Sequence, residues 1–109
     1  MIYHTIKLVK YEIAKTSEYL DWFSNLASKD RLQIDARLDR VAIEAHFGAW
    51  RYLGDKVSEL KFNNGMRIYF GIVKRDKETV LLVLGENKSG QEKDIKKAKK
   101  IFQRETASD

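Results

Sequence analysis

The chain has 109 residues, 43% hydrophobic and 11% aromatic, enough to build one hydrophobic core and too few for two. Its 21 Lys and Arg outnumber 16 Asp and Glu, a net charge of +5 that favours a polyanionic partner only where the cations cluster on one surface. The absence of cysteine excludes disulfides, a thiolate nucleophile and thiolate-bound metal, and fits a reducing compartment.

Lys7, Lys10 and Glu12 interrupt the apolar residues of the N-terminus, so neither a signal peptide nor a membrane span is expected, and the chain reads as cytoplasmic. Proline is absent and no Gly/Ser-rich run or repeat divides the sequence, which predicts a single domain over 1–109. From Tyr3 to Ile13 polar and apolar residues roughly alternate among β-branched and aromatic types, predicting a strand with one buried face. Thr16 or Ser17 is placed to cap a helix on which Tyr19, Trp22, Phe23 and Leu26 form one apolar stripe. Ser28 or Asp30 caps a second helix, with Ile34, Leu38, Val41, Ala42 and Ala45 at helical spacing and Gly48 at the left-handed position that ends it. The two helices form a hairpin whose other faces carry Arg31, Asp35, Arg37, Asp39, Arg40 and Glu44, mixed charges that read as solvated surface.

Ala49 to Lys56 breaks the helical pattern, with Gly54 permitting a turn and Trp50 and Tyr52 expected to pack. Three β-rich runs follow, Val57 to Phe62, Met66 to Lys74 and Thr79 to Gly85, joined by Asn63-Asn64-Gly65 and by Arg75 to Glu78. Connections of that length predict an antiparallel meander. The third run is apolar on both faces, as expected of an interior strand. Gln91 to Gln103 reads as a lysine-rich helix with Ile95, Ala98 and Phe102 inward, and the tail RETASD is expected to fray. The fold class is therefore α+β: an N-terminal strand, a helix hairpin, a meander and a C-terminal helix.

Strand alternation places Glu59 and Lys61 on one face and Leu60 and Phe62 on the other. On the next strand Arg67 and Tyr69 fall together, against Met66, Ile68, Phe70 and Ile72. One sheet face should bury against the hairpin, while the other presents Glu59, Lys61, Arg67 and Tyr69, with Lys88 in reach beyond the third strand. A guanidinium fixed on a strand binds phosphate bidentately, with lysine ammonium groups as point charges beside it. When a ribose 2′-hydroxyl cleaves a phosphodiester, charge grows on the phosphoryl and leaving oxygens, so preorganised cations act without metal or other cofactor. Glu59 is either a general base or the ion-pair partner of Lys61 or Arg67, and Tyr69 either stacks on a base or covers the sheet. Lys93, Lys96, Lys97, Lys99 and Lys100 are a solvated helix face that would also widen an RNA footprint. His4 and His46 are far apart in sequence without carboxylates at ligand spacing, and neither is assigned a role.

In order along the chain, TSEYLDWFSNL from Thr16, VSELKF with GMRIYFGIV, and GENKSGQEKDIKKA from Gly85 resemble the HigB-like addiction-module killer proteins of the RelE/ParE toxin superfamily. The resemblance spans most of the chain and implies a ribosome-dependent messenger-RNA endonuclease, neutralised by an antitoxin that is usually a helix-turn-helix DNA-binding protein. It places Arg67 on the scissile phosphate and matches Lys61 and Lys88 to basic residues of RelE-type members. Glu59 stands where those enzymes carry a second lysine and Ile95 where they carry a tyrosine, so the proton acceptor stays open between Glu59 and Lys61, with Arg67 and Lys88 as charge stabilisers. Tyr69, Lys93 and Lys97 are the expected RNA contacts. The alternatives are a gyrase-poisoning toxin of the ParE type without nuclease activity, and a non-catalytic nucleic-acid-binding module.

Overall fold

Thr16 joins the first strand to the first helix and pins both to the sheet. Its backbone N–H donates to Leu82 O at 3.0 Å, its hydroxyl donates to Val83 O at 2.8 Å, and the same oxygen accepts the Tyr19 N–H at 3.1 Å as the helix cap. The computed structural model describes residues 9–88 and 92–109. In chain order its elements are β1 (Glu12–Lys15), α1 (Ser17–Ser24), α2 (Ser28–Glu44), β2 (Trp50–Gly54), β3 (Val57–Lys61), β4 (Arg67–Lys74), β5 (Glu78–Glu86) and α3 (Glu92–Thr106). One five-stranded sheet runs β1-β5-β4-β3-β2, with β1 parallel to β5 and every other pair antiparallel.

The α+β class, the helix hairpin, the meander and the interior position of β5 all stand as the sequence predicts. The N-terminal strand is shorter and later than the alternation suggested. Residues 9–11 are irregular and β1 begins at Glu12, because pairing with β5 engages only Glu12 to Lys15; residues 3–8 of the expected strand lie outside the described residues. The segment from Ala49 to Lys56, read as a break in the helical pattern with a turn permitted at Gly54, holds the edge strand β2 of a four-stranded meander, with the turn following at Asp55 and Lys56. Trp50 and Tyr52 on β2 do not pack inward; they are 54% and 60% exposed, on the outermost strand of the sheet. With Phe47, Lys56, Ser58, Phe70 and Ile72 they line an open apolar groove of about 390 Å³.

The second helix ends at Glu44, earlier than its apolar repeat implied. Ala45, rather than Gly48, takes the left-handed position (φ 56°), with its N–H bonded back to Val41 O. Arg37 also departs from expectation. It turns inward, donating to Phe47 O and Ala49 O from Nη2 at 2.9 and 2.6 Å and to Lys61 O from Nη1, with its guanidinium 4.4 Å above the Phe62 ring. It thus fastens α2 to the start of β2 and the end of β3.

The largest correction concerns the layers. The sheet is covered on both faces: Leu60, Phe62, Ile68, Phe70, Val80 and Leu82 pack under α1 and α2, while Val57, Tyr69, Leu81, Val83 and Leu84 pack under Ala98, Ile101 and Phe102 of α3. Two glycines make the close approaches. A Cβ on Gly71 would lie 2.2 Å from the Phe102 ring, and one on Gly85 would lie 2.0 Å from the indole of Trp22. The C-terminal helix also runs past Gln103 to Thr106 instead of fraying, because Arg104 is held by Glu18 across the molecule.

Candidate anion-binding face

Register places the predicted cations side by side. Lys61 on β3 is the direct cross-strand partner of Arg67 on β4, and Arg67 in turn is opposite Glu86 on β5. A β-bulge sets this last pairing. Phe70 faces Leu82 and Tyr69 faces Leu84, so Val83 is the extra residue, and Leu84 and Glu86 return to the face of Tyr69 and Arg67. The turn at Asn63 to Gly65 closes the hairpin at this end of the sheet. Gly65 sits at φ 93°, and a Cβ there would lie 3.9 Å from the Cα of Lys88. Lys61, Arg67 and Lys88 thus share one end of the sheet. Lys93 and Lys97 in the first turns of α3 lie close enough to act on the Glu86 carboxylate, partly offsetting the rise in its pKa, which extends the positive rim past β5. Lys61 and Lys88 are exposed and make no ion pair among the described residues, whereas Lys96 and Lys99 are paired with Glu92 and Asp55.

Arg67 is held more tightly than a surface cation, with 14% of its side chain exposed. Its Nη1 donates to Met66 O at 3.0 Å and to Phe62 O at 3.4 Å, anchoring the guanidinium over the turn. Its Nε lies 3.9 Å from Glu59 Oε1. That oxygen is taken by a residue the sequence did not single out: Arg51 of β2, opposite Glu59 in the register, is ion-paired with it through Nη2 at 3.0 Å. Strand parity was its only signal, and it becomes visible once β2 is recognised as a strand.

Glu59 and Tyr69 sit on the predicted face but not at its surface. They are directly paired, 2% and 0% exposed, and roofed by α3 and Arg51. Glu59 Oε2 and the Tyr69 hydroxyl are buried and have no hydrogen-bond partner among the described residues. Burial, reinforced by Glu59, pushes the Tyr69 hydroxyl up to about 12. Glu86 is raised above the usual carboxylate range by burial and then by Asp94, with which it shares a hydrogen bond. Among the described residues no group of three or more His, Asp, Glu or Cys is placed to hold a metal ion, and no helix is long and apolar enough to cross a membrane. His46 is exposed beyond α2, and His4 lies outside the described residues.

A five-stranded sheet with a helix hairpin on one face and a C-terminal helix on the other is the fold of the RelE toxins. The structure is similar to the isolated Escherichia coli RelE toxin (TM-score 0.61, 19% identity, 84% of this chain and 98% of that one). It is similar also to an arginine-to-alanine mutant of that toxin in the free state (TM-score 0.67, 19% identity, 84% and 96%). The intact Escherichia coli RelBE toxin–antitoxin complex matches with a TM-score of 0.54 at 22% identity, over 74% of this chain and 99% of that one. No family model matches the sequence. An uncharacterized protein of Haemophilus influenzae is 30% identical over 93 residues, covering 84% of this chain and 93% of its own length. The chain belongs to the same family as that protein.

Proposed function

We propose that this chain is the toxin of a toxin–antitoxin pair, a HigB-like member of the RelE/ParE superfamily that cleaves messenger RNA on the ribosome in the cytoplasm. The observation that carries the reading is the Lys61–Arg67 cross-strand pair: two cations adjacent on rigid strands, one anchored and one free, with Lys88 beside them. The RelE fold supports it, and the likeness to the RelBE complex supports an antitoxin as the protein partner, of the helix-turn-helix kind that the sequence resemblance implies.

In this reading the ribose 2′-oxygen attacks the adjacent phosphorus, the bond to the next nucleotide's 5′-oxygen breaks, and a 2′,3′-cyclic phosphate and a 5′-hydroxyl result. Arg67 takes the non-bridging oxygens with its uncommitted Nη2, and Lys88 adds charge from the turn. These cations are fixed before the reaction, so they favour the more highly charged transition state without reorganising. Lys61, the exposed member of the pair, takes the 2′-proton in its neutral amine form, and the departing 5′-oxygen takes its proton from solvent water. Glu59, buried and bonded to Arg51, acts as an anchor for the arginines rather than as the base. Lys93 and Lys97 steer the RNA backbone. Tyr69 contributes from beneath, as packing for the row, since its ring is covered by α3.

Inducing the chain without its antitoxin and mapping new 5′ ends of ribosome-bound messenger RNA tests the proposal. Cleavage that disappears in a folded Arg67→Ala variant is the expected result. Intact messenger RNA accompanied by DNA double-strand breaks would replace this reading with a gyrase-poisoning toxin, and binding without toxicity would leave a nucleic-acid-binding module.

A further inference from the structure

We infer that Arg51 is a positioning residue: by occupying the Glu59 carboxylate it keeps the Arg67 guanidinium free for phosphate. The inference rests on the proposed role of Arg67 as the phosphate ligand.

Both arginines address the same oxygen. Glu59 Oε1 is ion-paired with Arg51 Nη2 at 3.0 Å, while Arg67 Nε stands off at 3.9 Å, outside hydrogen-bond range. The carboxylate is 2% exposed, and its second oxygen, Oε2, has no hydrogen-bond partner among the described residues. A buried carboxylate stripped of its cation draws in the nearest one. Arg67 is the nearest. Its Nη1 is fixed on Met66 O and Phe62 O, and its Nε, 3.9 Å from the carboxylate, is the group placed to close on Glu59. Its charge would then be spent inside the protein, and a phosphate would meet an arginine already neutralised by a carboxylate in low-dielectric surroundings.

Arg51 suits the opposite duty. Its side chain is 57% exposed on the edge strand, reaching over Glu59 from the side away from Arg67, so it neutralises the carboxylate without blocking the Lys61–Arg67 row. The three side chains lie on adjacent strands of one sheet, Arg51 opposite Glu59 and Arg67 two residues along β4 from Tyr69, the partner of Glu59. The sheet therefore fixes the competition geometrically, and it does not depend on loop conformation.

The test follows the Arg67 Nε–Hε resonance of the full ¹⁵N-labelled chain during titration with inorganic phosphate, the resonance being identified by its loss in Arg67→Lys. In the unmodified protein the signal moves saturably with phosphate. In Arg51→Ala it starts downfield, as for an Hε bonded to carboxylate, and the apparent phosphate dissociation constant rises about fivefold, the scale of losing one partly exposed charge contact. Arg51→Lys stays close to the unmodified protein. Arg51→Ala/Glu59→Gln recovers both the starting position and the affinity, which a direct phosphate contact from Arg51 would not allow. A phosphate response in the unmodified chain together with an unmoved Hε in Arg51→Ala overturns this inference alone. A double variant as weak as Arg51→Ala makes Arg51 a direct ligand and also overturns it. An Arg67 signal indifferent to phosphate in the unmodified chain overturns both the inference and the assignment of Arg67.

Discussion

The indole of Trp22 lies against the backbone of Gly85, where a Cβ would come within 2.0 Å of its Cε3 atom, and its Nε1 donates to Asn87 Oδ1 at 2.8 Å. This contact seats α1 on the end of β5, just beyond the bulge at Val83 that returns Glu86 to the face of Arg67. Gly85→Ala forces the ring or the strand to move and is expected to lower stability by about 1–3 kcal/mol, the range for overpacking a filled interior. Urea denaturation monitored by tryptophan fluorescence measures it. An unchanged midpoint would mean that Trp22 is not held where the structure places it.

Lys61 is exposed and unpaired among the described residues, so its replacement tests chemistry with little effect on folding. Lys61→Met is expected to slow messenger-RNA cleavage by about 10²-fold, the usual scale for deleting one preorganised charge or proton-transfer group, with thermal stability unchanged. Single-turnover cleavage on programmed ribosomes gives the rate. Unimpaired cleavage would remove Lys61 from the reacting row.

Glu18 and Arg104 tie α1 to α3 through bonds of 2.6 and 2.9 Å. The Arg104 guanidinium lowers the Glu18 carboxyl from its ordinary value near 4.5 to about 2. Because the folded value is the lower one, the pair stabilises the fold fully above pH ~4.5 and loses that contribution as pH falls toward ~2. Melting temperatures from pH 6 to pH 2 should therefore drop more steeply for the unmodified chain than for Glu18→Gln. Parallel curves would show that the pair adds nothing in solution, where both side chains are partly solvated.

The Tyr69 hydroxyl is buried with no hydrogen-bond partner among the described residues, a desolvation cost that Tyr69→Phe removes while keeping the ring packed under α3. Stability is expected to rise by up to about 1 kcal/mol. A loss of that size, measured by denaturant titration, would reveal a hydrogen bond that the present arrangement lacks.

Arg37→Ala withdraws the donors that reach Phe47 O, Ala49 O and Lys61 O together. A cost of about 2–3 kcal/mol is expected, as for breaking a partly buried charged hydrogen-bond network. Amide hydrogen exchange should show the loss concentrated at the junction of β2 and β3. Global loosening with no local excess would contradict this placement of Arg37.

The order of the three meander strands β3, β4 and β5, the helix hairpin and the common face of Glu59, Lys61, Arg67 and Tyr69 were all determined by the sequence alone. Alternation along a strand and the period of a helix are properties of the local backbone, and hairpin turns of known length carry that parity from β3 to β4. Tertiary structure alone decided what that face meets. Whether α3 lies over it depends on where a helix some thirty residues away in the chain comes to rest, and this turned Glu59 and Tyr69 from surface groups into buried ones. The same holds for Arg37, whose neighbours in α2 read as solvent-facing, and for β2, whose exposed Trp50 and Tyr52 resembled core residues in sequence because an edge strand is recognised by its partner and not by its own composition. The pairing that matters most, Arg51 with Glu59 beside Arg67, joins three strands whose registers had to be settled first.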